Sequence, residues 1–413
     1  MRRRVVVTGL GAVTPIGNDV TTMWGAMLAG TSGAGPITRF DPTDFKVRFA
    51  CEVKGFDPLA FMDRKDVKRA DGYTQFAMAA AVQAMTDAGL AEGGFVPEDC
   101  GVIVGSGIGG LRSFEDQHDV YRTRGAGKIS PFFIPMFIAD MAAGMVSMRF
   151  GAKGPNYATV SACATSAHAI GEAFRTIRYG DADVMIAGGS ESAVTPMSIG
   201  GFANMTALSE RNDDPATASR PFDRGRDGFV MGEGAGIVVL EELEHARRRG
   251  ARIYGEVVGY GATGDAYHIT GQPDDHEGLQ RAMRRALRDA ALEPSAVQYV
   301  NAHGTSTPLN DPNEIRAIKT VFGDHATRLN VSSTKSMTGH MLGAAGGVEF
   351  IACTLAIVHG MVPPTINQFE RDPECDLDVT PGVPVARDVE VAVSNSSGFG
   401  GHNVSLAVRR FVD

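Results

Sequence analysis

Two kinds of apolar pattern alternate along the chain. One is a short run of β-branched and small residues closed by glycine or serine, as in "RRVVVTGLGAVTPIG", "ADVMIAGGSES", "GIVVLEEL", "RIYGEVVGYGATGD", "EVAVSNSSGFGG" and "NVSLAVRRF". Such runs predict strands. The other is helical. In "TSAHAIGEAFRTIRYG", Ala167, Ile170, Ala173, Phe174 and Ile177 recur at three and four residues, and Gly180 marks the end. "YATVSA", just before it, reads as a strand carrying Tyr157, Thr159 and Val160. "GAAGGVEFIACTL" has too few polar residues for a solvated face, which predicts a helix buried between two sheets. Strands alternating with helices place the chain in the α/β class.

The pattern also repeats. "RRVVVTGLGAVTPIG" is echoed by "RIYGEVVGYGATGD" at 252–265, and "YATVSACATSAHAIGEAF" by "LNVSSTKSMTGHMLGAAGGVEF" at 329–350. "ADVMIAGGSES" pairs with "EVAVSNSSGFGG", and "GIVVLEEL" with "NVSLAVRRF". Four echoes in one order predict a duplicated α/β half, spanning 1–250 and 251–413.

Composition narrows the function. The 413 residues suffice for two or three ordinary domains. With 39 basic against 48 acidic residues the net charge is −9, which argues against nucleic-acid binding by bulk charge. Five scattered cysteines with no C-x-x-C argue against a disulfide framework and a zinc site, and point to a reducing cytoplasm. No run reaches the 18 uninterrupted apolar residues of a membrane span, so no membrane partner is expected. The arginines before "VVVTGLG" resemble a signal peptide, but Thr8, Gly9 and Gly11 break the apolar run, and a first strand fits better. One basic segment stands out, "DRKDVKRADG", where Arg64, Lys65, Lys68 and Arg69 crowd together. It reads as a solvated helix face or as a docking patch for an acidic partner.

Candidate chemistry starts at "SACATSAHA". Cys163 falls between the predicted strand and helix. Unpaired N–H groups at a helix N-terminus favour an anion, so the thiol is expected to ionise near neutral pH and act as a nucleophile. His303 in "YVNAHGTSTPLND", Lys335 and His340 in "VSSTKSMTGHMLGAAGG", and Phe399 in "NSSGFGGHN" lie at predicted strand ends, where open α/β sheets bind ligands. A metal site of one Cys and two His lacks a close ligand pair and would set Lys335 beside the ion. A protease-like Cys–His–Asn arrangement leaves one histidine and the lysine unused. Gly105, Gly107 and Gly110 match G-x-G-x-x-G, but "YRTRGAGKISPFF" supplies no acid where a dinucleotide site needs one.

Taken together, "SACATSAH", "NAHGTSTPLND", "SSTKSMTGHMLGAAGGVE" and "NSSGFGGHN" resemble the β-ketoacyl-[acyl-carrier-protein] synthases, most closely the synthase II type, along essentially the whole chain. The resemblance implies a thiolase fold, two similar halves in five layers, α-β-α-β-α. It implies decarboxylative condensation of an acyl chain on Cys163 with malonyl-carrier protein. His303 and His340 would stabilise the enolate, Lys335 would order them, and the N–H groups of Cys163 and Phe399 would form an oxyanion hole. The Phe399 ring would gate entry. Thr305 and Thr307 would hold the pantetheine arm, and Ile108 and Phe202 would line the acyl tunnel. The partners implied are an acyl carrier protein, docked on Lys65, Lys68, Arg69 and Lys128 with Arg124, and a second copy whose "PFFIP" closes the pocket. No cofactor or metal is expected, since the substrates ride on the carrier's phosphopantetheine. Two positions depart from the family pattern: Ser397 stands where an aromatic is usual, which would loosen or polarise the pocket wall, and Thr206 where synthase II members often carry arginine. A thiolase would need a second cysteine in C-x-G. An inactive chain-length factor would lack Cys163. A ketosynthase of a type II polyketide or specialised-lipid pathway remains the alternative.

Overall fold

The computed structural model describes residues 3–413. Among these, ten strands share one sheet: β1 Val5–Val13, β2 Cys100–Gly105, β3 Asn156–Tyr157, β4 Val184–Glu191, β5 Gly234–Glu242, β6 Gly255–Gly264, β7 Tyr299–Asn301, β8 Asn330–Ser332, β9 Val391–Gly398 and β10 His402–Arg409. Their order is β8-β7-β9-β10-β6-β1-β5-β4-β2-β3. Adding five to each label of the first set gives the second set in the same order. Directions repeat too: within each set the two outermost pairs are parallel and the others antiparallel. The sets meet where Val5–Val7 of β1 pair antiparallel with Gly255–Val257 of β6.

Six helices complete the layers: α1 Gly72–Asp87, α2 Met141–Phe150, α3 Thr165–Tyr179, α4 Glu277–Asp289, α5 Asn310–Phe322 and α6 Ala345–His359. Helices α1 and α2 cover the outer face of the first five strands, and α4 and α5 that of the second five. Helices α3 and α6 touch each other and lie between the two sets. The result is the five-layer α-β-α-β-α arrangement of the thiolase fold.

Burial explains the patterns. All nine residues of β1 are buried, as a strand covered on both faces requires. Helix α6 is buried from Ala345 to Ile357, as its lack of polar residues predicts. Leu342–His359 is long and apolar enough to cross a membrane, yet 89% of it is buried inside the fold as this central layer. Helix α3 ends at Gly180, whose φ of 93° is open to glycine without strain. The expected strand over "YATVSA" is shorter than its residues suggest, pairing only at Asn156–Tyr157. Beyond that, side-chain bonds replace the ladder: the Thr159 hydroxyl donates to the Thr165 carbonyl (2.8 Å), and the Ser161 N–H donates to Thr165 Oγ1 (2.9 Å). The chain therefore leaves the sheet as a turn that presents Cys163.

Candidate active site

Cys163 lies in a 3-10 turn, Ala162–Ala164, that runs into α3. Ala162 has φ +49°, a left-handed conformation that costs a non-glycine residue about 1–3 kcal/mol and persists only where its surroundings enforce it. The end of β9 supplies that enforcement. A Cβ on Gly398 would stand 2.6 Å from the Ser161 carbonyl oxygen and 3.2 Å from the Cys163 nitrogen, so only glycine fits. This approach directs the Phe399 N–H at the Cys163 sulfur.

The histidines arrive from the other half. His303 follows β7, and its N–H and that of Gly304 each donate to the Glu314 carboxylate at 2.8 Å. His340 is held by its backbone, its N–H donating to the Val230 carbonyl (2.7 Å) and its carbonyl accepting from Gly232 (2.9 Å). The two imidazoles stand nearly perpendicular, 85° apart with centroids 5.3 Å apart, and Phe229 packs edge-on against His340 at 5.1 Å. Ligand atoms of Cys163, His303 and His340 all lie within 4.8 Å of one another.

Burial is the first cause of every shift here. It holds both imidazoles well below the ordinary histidine range, and the Lys335 charge lowers them further. Both rings are therefore neutral. Neither Nδ1 has a hydrogen-bond partner, and each neutral ring carries one N–H. Burial also pushes the Cys163 thiol up to about 12, against the opposing pull of Lys335 and the Phe399 N–H. Desolvation thus opposes the ionisation that the helix terminus favours. Lys335 is 1% exposed and ion-paired with Glu349, which is equally buried. Burial also raises Glu314, to about 7.

These groups open onto a cavity of about 500 Å³. Cys163, His303, His340, Phe399, Thr305, Thr307, Ile108 and Phe202 all line it, while Lys335 is buried and off its wall. Thr305 and Thr307 share a hydroxyl contact of 3.0 Å. The rings of Phe202 and Phe399 lie 6.2 Å apart. Ser397 does not leave a bare hydroxyl in the wall. It donates to Asn403 Oδ1 at 2.9 Å and lies 3.2 Å from His276 Nε2, in a buried polar network. Thr206 sits exposed on the cavity rim with φ +58°.

The basic residues lie on the surface. Lys65 belongs to a short helix, Arg64–Val67; Lys65, Lys68, Arg124 and Lys128 are exposed. Arg69 is half-buried with its guanidinium 4.2 Å above the Phe132 ring, which ties this segment to the stretch after Lys128. The glycine motif cradles the chain's own carboxylate: the Gly107 and Ile108 N–H groups donate to Glu191 at 2.8 and 3.2 Å. Glu191, Glu314, Glu349 and Phe229 were not legible as site residues. Phe229 sits within "GRDGFVMGEG", and its place beside the resemblance motifs was the available signal.

Comparisons with known proteins follow the same lines. The model described as "Beta-ketoacyl synthase, N-terminal domain" matches residues 2–246, and "Beta-ketoacyl synthase, C-terminal domain" matches residues 254–369. The "3-oxoacyl-[acyl-carrier-protein] synthase 2" of Synechocystis sp. is 55% identical over 410 residues, covering 99% of each chain. The protein of that name in Coxiella burnetii is 54% identical over 412 residues, covering all of both. Among solved structures, the ishigamide ketosynthase/chain length factor superposes with a TM-score of 0.93 at 38% identity, over the full length of both chains. A type II polyketide ketosynthase in complex with its acyl-carrier protein gives 0.92 at 37%, again over the full length of both.

Proposed function

This chain belongs to the β-ketoacyl synthase family, and from that premise we propose that it is a 3-oxoacyl-[acyl-carrier-protein] synthase of fatty acid elongation. The observation that carries the site assignment is the convergence of Cys163 with two neutral imidazoles on one cavity. In the first half-reaction the Cys163 sulfur takes the acyl group from the carrier's pantetheine. The new bond is a Cys163 thioester, the old thioester breaks, and the thiol proton ends on the departing carrier thiol. With burial holding the thiol above its ordinary range, sulfur attack and proton loss belong to one event. The N–H groups of Cys163 and Phe399 are the donors for the oxyanion that forms.

In the second half-reaction malonyl-carrier protein loses carbon dioxide. The electron pair stays on the α-carbon as an enolate, whose oxygen accepts from the Nε2–H of His303 and of His340. Neutral rings, each with one N–H, suit donation. The enolate carbon then attacks the Cys163 thioester, a carbon–carbon bond forms, and the released thiolate takes a proton. Lys335, paired with Glu349, sets the charge behind the imidazoles. Thr305 and Thr307 are assigned to the pantetheine arm, Ile108 and Phe202 to the acyl chain, and the Phe399 ring to the entrance.

The carrier docks on Lys65, Lys68, Arg69 and Lys128, whose charges complement an acidic protein. The complex of a polyketide ketosynthase with its carrier supports that mode of partnership. A homodimer is proposed across the open edge at β3, where Tyr157, Val160 and Ile134 are 43%, 60% and 57% exposed. The halves divide near residue 250, and five free cysteines suit a reducing cytoplasm. The relatives in fatty acid synthesis are more similar (54–55% identical) than the polyketide structures (37–38%), which favours elongation over the polyketide reading. The deciding experiment supplies a panel of acyl-carrier proteins and malonyl-carrier protein, with mass spectrometry of the products. A 3-oxoacyl chain extended by one malonyl-derived unit is expected. Transfer without carbon dioxide release would overturn the proposal.

A further inference from the structure

Cys163, His303 and His340 present one sulfur and two imidazole nitrogens within 4.8 Å of one another on a cavity wall. We infer that this trio is also a binding site for a soft divalent cation such as Zn²⁺ or Cd²⁺, occupied in competition with the acyl group. That the metal inhibits condensation rests on the proposed role of Cys163; that it binds does not.

The geometry is close to what such an ion needs. Zinc sits about 2.3 Å from thiolate sulfur and about 2.0–2.1 Å from imidazole nitrogen. A tetrahedral ion at those distances holds its ligand atoms about 3.3–3.6 Å apart. The three atoms lie no more than 4.8 Å apart, so side-chain torsions draw them together by at most about 1.2–1.5 Å. Three protein ligands with a fourth position open to the cavity is the coordination of a zinc ion that keeps a water. One sulfur and two nitrogens select soft or borderline ions over magnesium and calcium. Both rings are neutral, as ligands must be. The Lys335 charge acts on all three ligands and weakens the site, and its ion pair with Glu349 offsets that in part.

Binding replaces the sulfur–hydrogen bond by a sulfur–metal bond and releases one proton to solvent. An imidazole that coordinates through Nε2 carries its proton on Nδ1, where no acceptor waits. Missing partners of that kind weaken a metal site about 10–100-fold each. The site is therefore a reversible, inhibitory one, weaker than a resident zinc centre. A metal ion held there blocks the sulfur, and an acyl group on the sulfur excludes the metal.

The test titrates chelator-treated, full-length protein with Co²⁺ and Zn²⁺. Expected are one cobalt per chain, with a thiolate-to-cobalt charge-transfer band and the intense visible bands of tetrahedral coordination. Zinc should displace the cobalt, protect Cys163 from alkylation, and stop self-acylation until chelator is added. Cys163→Ala and His303→Ala should each weaken binding at least tenfold. Wild-type protein whose Cys163 has first been alkylated, which needs no refolded variant, should lose the cobalt spectrum. Undiminished tetrahedral cobalt on the alkylated protein, or on His303→Ala, would place the metal elsewhere and overturn the inference. So would the absence of a cobalt–thiolate band at any concentration. The cobalt spectrum reads binding independently of acyl transfer, so a protein that binds cobalt without acylating refutes the proposed function and not the metal site.

Discussion

Replacing Lys335 by methionine isolates the energetics behind the imidazoles. Lys335 and Glu349 are 1% and 2% exposed, so solvent screens neither. The substitution fills similar volume and leaves Glu349 buried without its counter-charge, and one of its oxygens already lacks a partner. The carboxyl then has two options. Remaining ionised costs about 3–5 kcal/mol, the usual price of breaking a buried pair. Taking up a proton at pH 7 from the ordinary value of 4.5 costs about 3.4 kcal/mol, at 1.36 kcal/mol per pH unit. At pH 5 that same protonation costs only about 0.7 kcal/mol. The sign follows: the folded variant holds a proton that the unfolded chain releases above pH 4.5, so its stability falls as pH rises from there. Burial raises Glu349 in the wild type too, but Lys335 opposes it, so the gap between the two proteins is what widens. Denaturant unfolding at pH 5 and pH 7 should show Lys335→Met less stable by about 1 and about 3 kcal/mol respectively. Adding Glu349→Gln should flatten the pH dependence of the gap. A gap that is constant with pH, or that survives in the double variant, would refute the argument that the buried carboxylate is its source.

The other predictions concern the chemistry and the docking. Cys163→Ala should show no acyl adduct by mass spectrometry after incubation with acyl-carrier protein, yet should still decarboxylate malonyl-carrier protein. His303→Ala should still become acylated in a single turnover but lose about 10²–10³ in decarboxylation rate, the usual effect of removing one donor to a developing oxyanion; acylation failing first would indicate a protease-like base. Charge reversal at Lys65, Lys68 and Arg69 together should raise KM for carrier-bound substrates and leave kcat with a small pantetheine thioester nearly unchanged; equal behaviour on both substrates would reduce the patch to a solvated surface.

How much of this was legible varies with the physics of each residue. Cys163 was, because a tight turn of small residues ahead of a periodic helix leaves a local signature. Its ionisation was not. The helix terminus is visible in sequence, but desolvation depends on Gly398, Phe399 and Leu342 arriving from the other half. The basic residues were legible as a charge run. Glu314 was not, since an acid on a helix is ordinarily solvated and only the fold shows that α5 faces inward there; Glu349 lay in a stretch already read as buried, but its pairing with Lys335 was not legible. Ser397 was legible as a departure that would loosen or polarise the wall; that its hydroxyl is taken up by His276 and Asn403 was not, since both come from outside its own strand.

The repeat explains why one half carries the proposed nucleophile. The turn Ala162–Ala164 before α3 has a counterpart in Leu342–Ala344 before α6, and Leu342 keeps the same left-handed backbone, φ +45° against +49° at Ala162. Gly343 stands in the second turn where Cys163 stands in the first. The ends of the facing strands have diverged in step. In the first site β9 closes with Gly398, small enough to lie against the turn and bring the Phe399 N–H to the sulfur. In the second, β4 closes with Glu191, whose carboxylate accepts from the N–H groups of Gly343 (2.9 Å) and Gly107 (2.8 Å) and from the Ser106 hydroxyl (2.7 Å). A side chain on Gly343 would stand 2.7 Å from that carboxylate and 2.4 Å from the Gly107 nitrogen. The second turn therefore has neither a nucleophile nor room for one, and its donors are spent on a resident anion. Those same bonds fix Gly107 and Ile108, which line the cavity of the first site. The half without the cysteine brings His303 and His340 to the cavity, while Glu191 and the wall it anchors belong to the half that carries Cys163, tied across to the other half through the Gly343 N–H.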